Sequence, residues 1–172
     1  MLITIRPERS EDHAPVRQVN EQAFGQPQEA HVVDKLRAVC DDVLSLVAEW
    51  DGQVVGHVLF TPVVFQAGQG VIRGMGLAPL AVTPQHQRQG IGTALVKAGL
   101  AILRDSACPA VIVLGHPDYY PRFGFEPASR HGIRSQWEGV PADAFMILIF
   151  DPVAMAGACG VARYRDEFDE AM

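Results

Sequence analysis

Between Gly74 and Arg104 the chain changes its hydrophobic period once, at a defined place. Gly74 to Val82 is a long apolar run that reads as a strand, whereas Ile91, Ala94, Leu95, Ala98 and Ile102 follow the three-and-four spacing of one buried helical face. The connecting Thr83-Pro84-Gln85-His86-Gln87-Arg88-Gln89 is polar, and glycines stand at Gly90 and Gly92, where the helix begins. The first amides of a helix lack intrahelical acceptors and carry a partial positive charge, so a strand that runs into a glycine-bearing helix start forms a local anion site. Arg88 and the side-chain amides of Gln87 and Gln89 are expected to add donors. Pro79 interrupts the strand and predicts a bulge, an edge or a local splitting of strands, because proline cannot donate to a ladder.

The other segments extend this pattern. Leu2 to Arg6 alternates like a short edge strand, and Pro7 with Ser10 to Asp12 supplies the stop and cap expected before a helix over Ala14 to Phe24. Val16, Val19 and Ala23 share its buried face. A second helix follows Pro27, with Ala30, Val33 and Leu36 or Val32, Leu36 and Val39 as its stripe. Asp51-Gly52 between the apolar runs Leu44 to Trp50 and Gln53 to Phe60 predicts an antiparallel hairpin. Strands are expected at Ala110 to Leu114, Phe145 to Phe150 and Cys159 to Tyr164, and one helical turn at Tyr119 to Phe123, ended by Gly124. The order predicts a mixed α/β sheet with helices on its faces.

Composition narrows the function. A chain of 172 residues with 48% hydrophobic and 20% charged residues fits a single domain over residues 1–172. The net charge of −6 argues against a nucleic-acid surface, so any phosphate must be held locally. Three scattered cysteines, Cys40, Cys108 and Cys159, suggest neither a disulfide framework nor a metal site and fit a reduced cytoplasmic interior. Met1 to Arg6 carries no export signal, and no apolar run approaches the length of a membrane span, so no membrane partner is expected. A dinucleotide fold of the Gly-x-Gly-x-x-Gly type would need glycine where Leu95 stands, and no Gly-Lys-Ser/Thr loop occurs. Leu95 and Pro79 thus both count against a nicotinamide-dependent oxidoreductase.

Two landmarks in order carry a family resemblance. Gln87-x-x-Gly90-x-Gly92, preceded by Leu80-Ala81-Val82, resembles the acetyl-CoA signature of the GNAT (GCN5-related) N-acetyltransferase superfamily. Tyr120-Pro121-Arg122-Phe123-Gly124-Phe125 resembles its second landmark, Tyr-x-x-x-Gly-Phe. Gly76 to Pro84, together with Leu114 to Tyr120, is similar to the YhbS-like bacterial branch, and the likeness runs from Ile3–Arg6 to Gly160–Tyr164. The resemblance implies a mixed, mostly antiparallel sheet of about six to seven strands, splayed between strands 4 and 5, with helices on both faces. It implies acetyl-CoA as cosubstrate, no metal, and an amine-bearing acceptor, either a small molecule or a protein.

The resemblance also assigns residues. Backbone groups of Leu80, Ala81 and Val82 would bind the pantetheine arm, and Gln87, Arg88, Gln89, Gly90, Ile91, Gly92 and Thr93 would cradle the pyrophosphate. Phe123 would complete the cofactor site. Tyr120 would protonate the departing thiolate, and the Ala81 amide would stabilise the oxygen of the attacked thioester. Many relatives carry a glutamate on the strand before the signature, but Arg73 to Leu77 holds no carboxylate. Glu29, His57, His116 and Asp118 are therefore the substrate-side candidates for a base, beside a water chain. Cys40 and Cys108 read as buried, which favours direct attack on the thioester over an acyl-cysteine. The missing glutamate keeps a second reading open, a CoA-binding module without transfer chemistry. The tail strands either finish a monomer's sheet or form a homodimer seam.

Overall fold

A computed structural model describes residues 2–172, and Met1, the first residue of the segment read above for an export signal, lies outside them. In chain order the elements are β1 (Ile3–Pro7), α1 (His13–Phe24), α2 (Gln28–Val39), β2 (Leu44–Trp50), β3 (Gln53–Ala67), β4 (Gly70–Val82), α3 (Ile91–Asp105), β5 (Ala110–Leu114), β6 (Glu126–Pro127), β7 (Ile133–Ser135), β8 (Phe145–Ile149) and β9 (Gly160–Arg163). The strand order is β1-β2-β3-β4-β5-β8-β6, with β9 beside β3 and β7 beside β9. Pairing is antiparallel at β1–β2, β2–β3, β3–β9, β5–β8 and β6–β8, and parallel at β4–β5 and β7–β9. The residues fall into two compact units. One takes the chain up to Phe60, Ala78–Ala101 and Asp166–Met172, and the other takes Thr61–Leu77 and Ile102–Arg165.

In the first unit the β2–β3 hairpin turns at Asp51 and Gly52, whose φ values of 49° and 79° are both left-handed. That geometry matches the natural twist of the flanking strands. Successive residues of β3 face opposite sides of the sheet. Gly56 faces α3 so closely that a Cβ there would lie 3.0 Å from Leu95 and 3.1 Å from Ile91, and two pleats on, the Phe60 ring fills the place of a side chain at Gly99. His57, on the other face, meets α1, so helices cover both faces of β3.

His57 anchors a buried polar chain. The Asn20 side-chain amide donates to the Val16 carbonyl (3.0 Å) and to His57 Nδ1 (3.1 Å), which leaves the proton on Nε2 to be donated to Ser45 Oγ (3.0 Å). Ser45 then donates to Glu8 (2.5 Å), and Glu8 accepts from Arg37, which also donates to Asp34 (2.8 Å). The chain ties α1 and α2 to β2 and β3. Asn20 Oδ1 is buried and has no hydrogen-bond partner among the described residues. Elsewhere in this unit Arg6 of β1 bridges Asp12 and Glu49, and Glu170 of the C-terminal turn pairs with Lys35 of α2.

In the second unit β4 and β5 register as Met75 to Val111, Gly76 to Ile112 and Leu77 to Val113, and the ladder ends there while β4 runs on to Val82. β5 and β8 pair along their whole length, from Ala110–Ile149 to Leu114–Phe145. Phe65, Leu77, Ile112, Met146 and Ile147 are fully buried.

Three expectations change. The polar, glycine-bearing stretch Gln66 to Arg73 has the composition of a loop but is mostly strand, because β3 runs through Pro62 to Ala67 and only Gly68 and Gln69 turn the chain. Pro62 removes one ladder donor without ending the strand, and buried Val63 and Phe65 carry it on. Val39 is exposed, so Ala30, Val32, Val33 and Leu36 form the buried stripe of α2. Among the described residues the sheet has nine strands rather than about six to seven, since β6 and β7 are too short to show a period.

Burial holds the His57 imidazole neutral down to about 3, with the Arg37 charge acting in the same direction, against an ordinary value of 6.5. The unfolded chain therefore takes up a proton below about pH 6.5 that the folded chain refuses. Stability is full above that pH and falls as pH drops towards 3, by about 1.4 kcal/mol per pH unit from this group. Chemical denaturation of wild type and His57→Gln across pH 3.5 to 7 should show a shallower acid slope in the variant. Equal slopes would contradict this role for His57.

Candidate functional site

The end of β4, the loop after it and the first turn of α3 all belong to the first unit. Thr83 N–H donates to the Val55 carbonyl (2.9 Å), which fixes where β4 leaves the sheet. A single turn over Pro84–His86 comes next, closed by His86 N–H to the Thr83 carbonyl (2.9 Å) and by the Thr83 hydroxyl with His86 Nδ1 (2.8 Å). The Trp50 ring packs against His86 with centroids 5.4 Å apart. This Thr83–His86 brace was missed from sequence, although a threonine three residues before a turn-ending histidine was its signal.

Beyond the brace the chain is exposed from Gln87 to Gly90. Arg88 and Gly90 have φ of 61° and 84°, and the space that a Cβ on Gly90 would enter is open. Backbone that mixes left- and right-handed residues before a helix turns its amides towards a common concavity, the geometry of an anion nest. The first helical bond of α3 runs from Ala94 N–H to the Gly90 carbonyl (3.0 Å), so the Ile91 and Gly92 amides stand ahead of helical pairing. Gln87 and Gln89 have partners within the loop. Their side-chain amides donate inward, to the Val82 carbonyl (3.0 Å) and the Gln85 carbonyl (3.1 Å), and so brace the loop.

The second unit holds an aromatic group around Tyr120. Tyr120 is 7% exposed and meets Tyr119 and Phe125 edge-to-face at 5.1 and 5.8 Å, with Phe123 tilted at 6.3 Å. Arg122 stacks over the Tyr119 ring at 4.3 Å and donates to its carbonyl (2.8 Å). Burial, and then Tyr119, push the Tyr120 phenol above its ordinary range, so it carries its proton at neutral pH. The ring lies directly on Gly115, where a Cβ would overlap it. A cleft of about 430 Å³ in this unit is lined by Arg134, Ser135, Trp137, Glu138 and Phe145, among others.

The model of the acetyltransferase (GNAT) domain matches residues 4–128 of the chain. The chain belongs to the GNAT acetyltransferase family. It is 38% identical over 148 residues to YhbS of Escherichia coli (strain K12), an uncharacterized N-acetyltransferase, covering 86% of this chain and 87% of that one. It is 42% identical over 120 residues to YjhQ of the same organism, also an uncharacterized N-acetyltransferase, covering 69% and 66% respectively. Among solved structures, E. coli YhbS in complex with CoA superposes with a TM-score of 0.87 at 35% identity, over 97% of this chain and 92% of that one. A GNAT acetyltransferase from Brucella melitensis in complex with acetyl-CoA gives 0.80 at 37% identity, over 98% and 99%.

Within this GNAT chain the expected site residues fall into distinct settings. Leu80 and Val82 are half-buried and Ala81 is buried, so these three offer backbone. Gln87 to Gly90 are exposed, Ile91 points into the core, and Gly92 and Thr93 are half-buried. Phe123 is half-buried, and His116 and Asp118 are exposed on the turn before Tyr120. The His116 carbonyl accepts the Tyr119 amide (3.0 Å), and no side chain caps this turn. Glu29, on the first turn of α2, accepts both bonds from the Gln26 amide (2.9 and 3.2 Å). His57 reaches no surface: it is fully buried, and both its ring nitrogens are engaged within the polar chain. Cys40 is buried, Cys159 is exposed, and burial pushes the Cys108 thiol up while it donates to the Ala110 carbonyl (3.3 Å). Among the described residues no three His, Cys, Asp or Glu cluster as for a metal, and no helix is long and apolar enough to cross a membrane.

Gly115→Ala should force the Tyr120 ring from its seat and destabilise the fold by about 1–3 kcal/mol, as overpacking does. Urea denaturation with near-ultraviolet circular dichroism reads both effects. Wild-type stability and an unaltered aromatic signal would show that the ring does not depend on this glycine.

Proposed function

We propose that this chain transfers an acetyl group from acetyl-CoA to an amine by direct attack of the amine on the thioester. The observation that carries the reading is that β4 registers with β5 only as far as Leu77, continues to Val82, and leads into exposed backbone that is left-handed at Arg88 and Gly90. An extended pantetheine arm needs a strand edge, and a pyrophosphate needs converging amides. Backbone of Leu80 to Val82 would take the first role. Amides from Arg88 to Thr93, with the Arg88 guanidinium, would take the second, while Gln87 and Gln89 hold the loop in shape. The CoA and acetyl-CoA bound in the YhbS and Brucella structures support the same cosubstrate here. β3 and β4 each contribute residues to both compact units, which supports reading residues 1–172 as one domain.

In the chemical step the amine nitrogen bonds to the thioester carbonyl carbon, the Ala81 amide steadies the developing oxyanion, and the C–S bond breaks. Tyr120, kept protonated by burial, would donate to the leaving sulfur, and Phe123 would wall the cofactor site. The attacking amine must lose a proton. His57 is too deeply buried to accept it, which leaves Glu29, His116, Asp118 or water. The raised Cys108 thiol and buried Cys40 favour direct attack over an acyl-cysteine. The cleft at Trp137 and Glu138 is the proposed acceptor wall. The absence of a transmembrane helix among the described residues is consistent with a cytoplasmic enzyme working on small or protein amines.

Acetyl-CoA should raise the melting temperature of wild type and of Tyr120→Phe alike, and not that of Gly92→Glu, which sets bulk and negative charge at the proposed pyrophosphate site. Across an amine panel Tyr120→Phe should turn over at least about tenfold more slowly, within the usual span for a general acid. Equal stabilisation of Gly92→Glu would remove the site. Binding by wild type with no transfer to any amine would favour a CoA-binding module instead.

A further inference from the structure

Tyr164 comes directly after β9 and is 5% exposed, and its hydroxyl is directed at strand backbone. It lies 3.3 Å from the Leu77 carbonyl and 3.2 Å from the Ile112 carbonyl, one from β4 and one from β5. Those carbonyls belong to the last rungs of the parallel ladder, where Gly76 registers with Ile112 and Leu77 with Val113. Carbonyls of paired strands ordinarily accept from amides of the neighbouring strand. Here two of them, one from each strand, converge on a single hydroxyl oxygen at the end of the ladder.

The ring is held there from several sides. A Cβ on Gly76 would overlap it, so the ring packs against the backbone of β4. Its other contacts include Trp137, stacked at 5.5 Å and 30°, and its own amide donates to Gln136 Oε1 (2.6 Å). Burial pushes the phenol above its ordinary range, with Tyr120 adding to the effect, so the hydroxyl remains a donor throughout the working pH range.

We propose that Tyr164 is a positioning residue for cosubstrate entry: its hydroxyl closes the last rung of the β4–β5 ladder and fixes the point beyond which the backbone of β4 is open to the pantetheine arm. The proposal rests on the reading of the chain as an acetyl-CoA enzyme. It separates Tyr164 from Tyr120, which is assigned to the leaving sulfur, and it gives the Gly76–Tyr164 contact a functional purpose.

The test compares two ligands on wild type and Tyr164→Phe by titration calorimetry. Acetyl-CoA carries the arm, and 3′-phospho-ADP is the nucleotide end without it. Tyr164→Phe keeps the ring on Gly76 and the stack on Trp137 and removes only the hydroxyl. Acetyl-CoA binding should weaken about tenfold, the scale of one lost buried hydrogen bond, with 3′-phospho-ADP unchanged. Equal weakening of both ligands, loss of both, or no change in either would overturn the positioning role. Failure of wild type to bind either ligand would instead sink the acetyl-CoA reading on which the role depends.

Discussion

The parallel ladder between β4 and β5 stops at Leu77, yet β4 keeps a strand conformation as far as Val82. A strand that loses a neighbour has polar groups to satisfy, since an amide or carbonyl buried without a partner costs roughly 1–3 kcal/mol. Water can satisfy them, and so can an extended ligand with amides of its own. Tyr164 sits at the last rungs, Gly76 makes room for its ring, and Thr83 draws the far end of β4 to Val55 of β3.

The loop and helix after β4 are held as firmly as the strand itself. α3 is seated by two close approaches, Gly56 against Ile91 and Leu95 and Gly99 against Phe60, so its first turn has little freedom to shift. The loop before it is internally braced by Thr83 with His86 and by Gln87 and Gln89 with loop carbonyls. Arg88 nonetheless adopts a left-handed conformation, which a residue with a Cβ enters at a cost of about 1–2 kcal/mol. Backbone strain at an exposed, braced loop that opens a helix fits a site preorganised for an anion.

Much of this architecture is legible in the sequence. Asp51-Gly52 marks a hairpin because few residues tolerate two left-handed positions in succession, and both are left-handed. The strand-to-helix change at Thr83 to Ile91 is visible because the two periods differ so sharply. Long-range placement is not visible. Nothing local in Val55-Gly56-His57-Val58 distinguishes an inward histidine from a cleft histidine, and only the partners Asn20 and Ser45, distant in sequence, decide it. The bonds by which Gln87 and Gln89 brace their loop are hidden too, because a single sequence cannot show that the Val82 and Gln85 carbonyls lie within reach. Tyr164 reads as the end of a strand, for its partners Leu77 and Ile112 are likewise remote.

The segment of β4 beyond Leu77 is, on this reading, where the cosubstrate joins the protein, and every other assignment depends on it. A crystal structure of the chain with acetyl-CoA measures this most directly. The pantetheine arm should run beside Leu80 to Val82 with hydrogen bonds to their backbone, its pyrophosphate against the amides between Arg88 and Thr93. An arm lying elsewhere, with that backbone still open to solvent, would contradict the account.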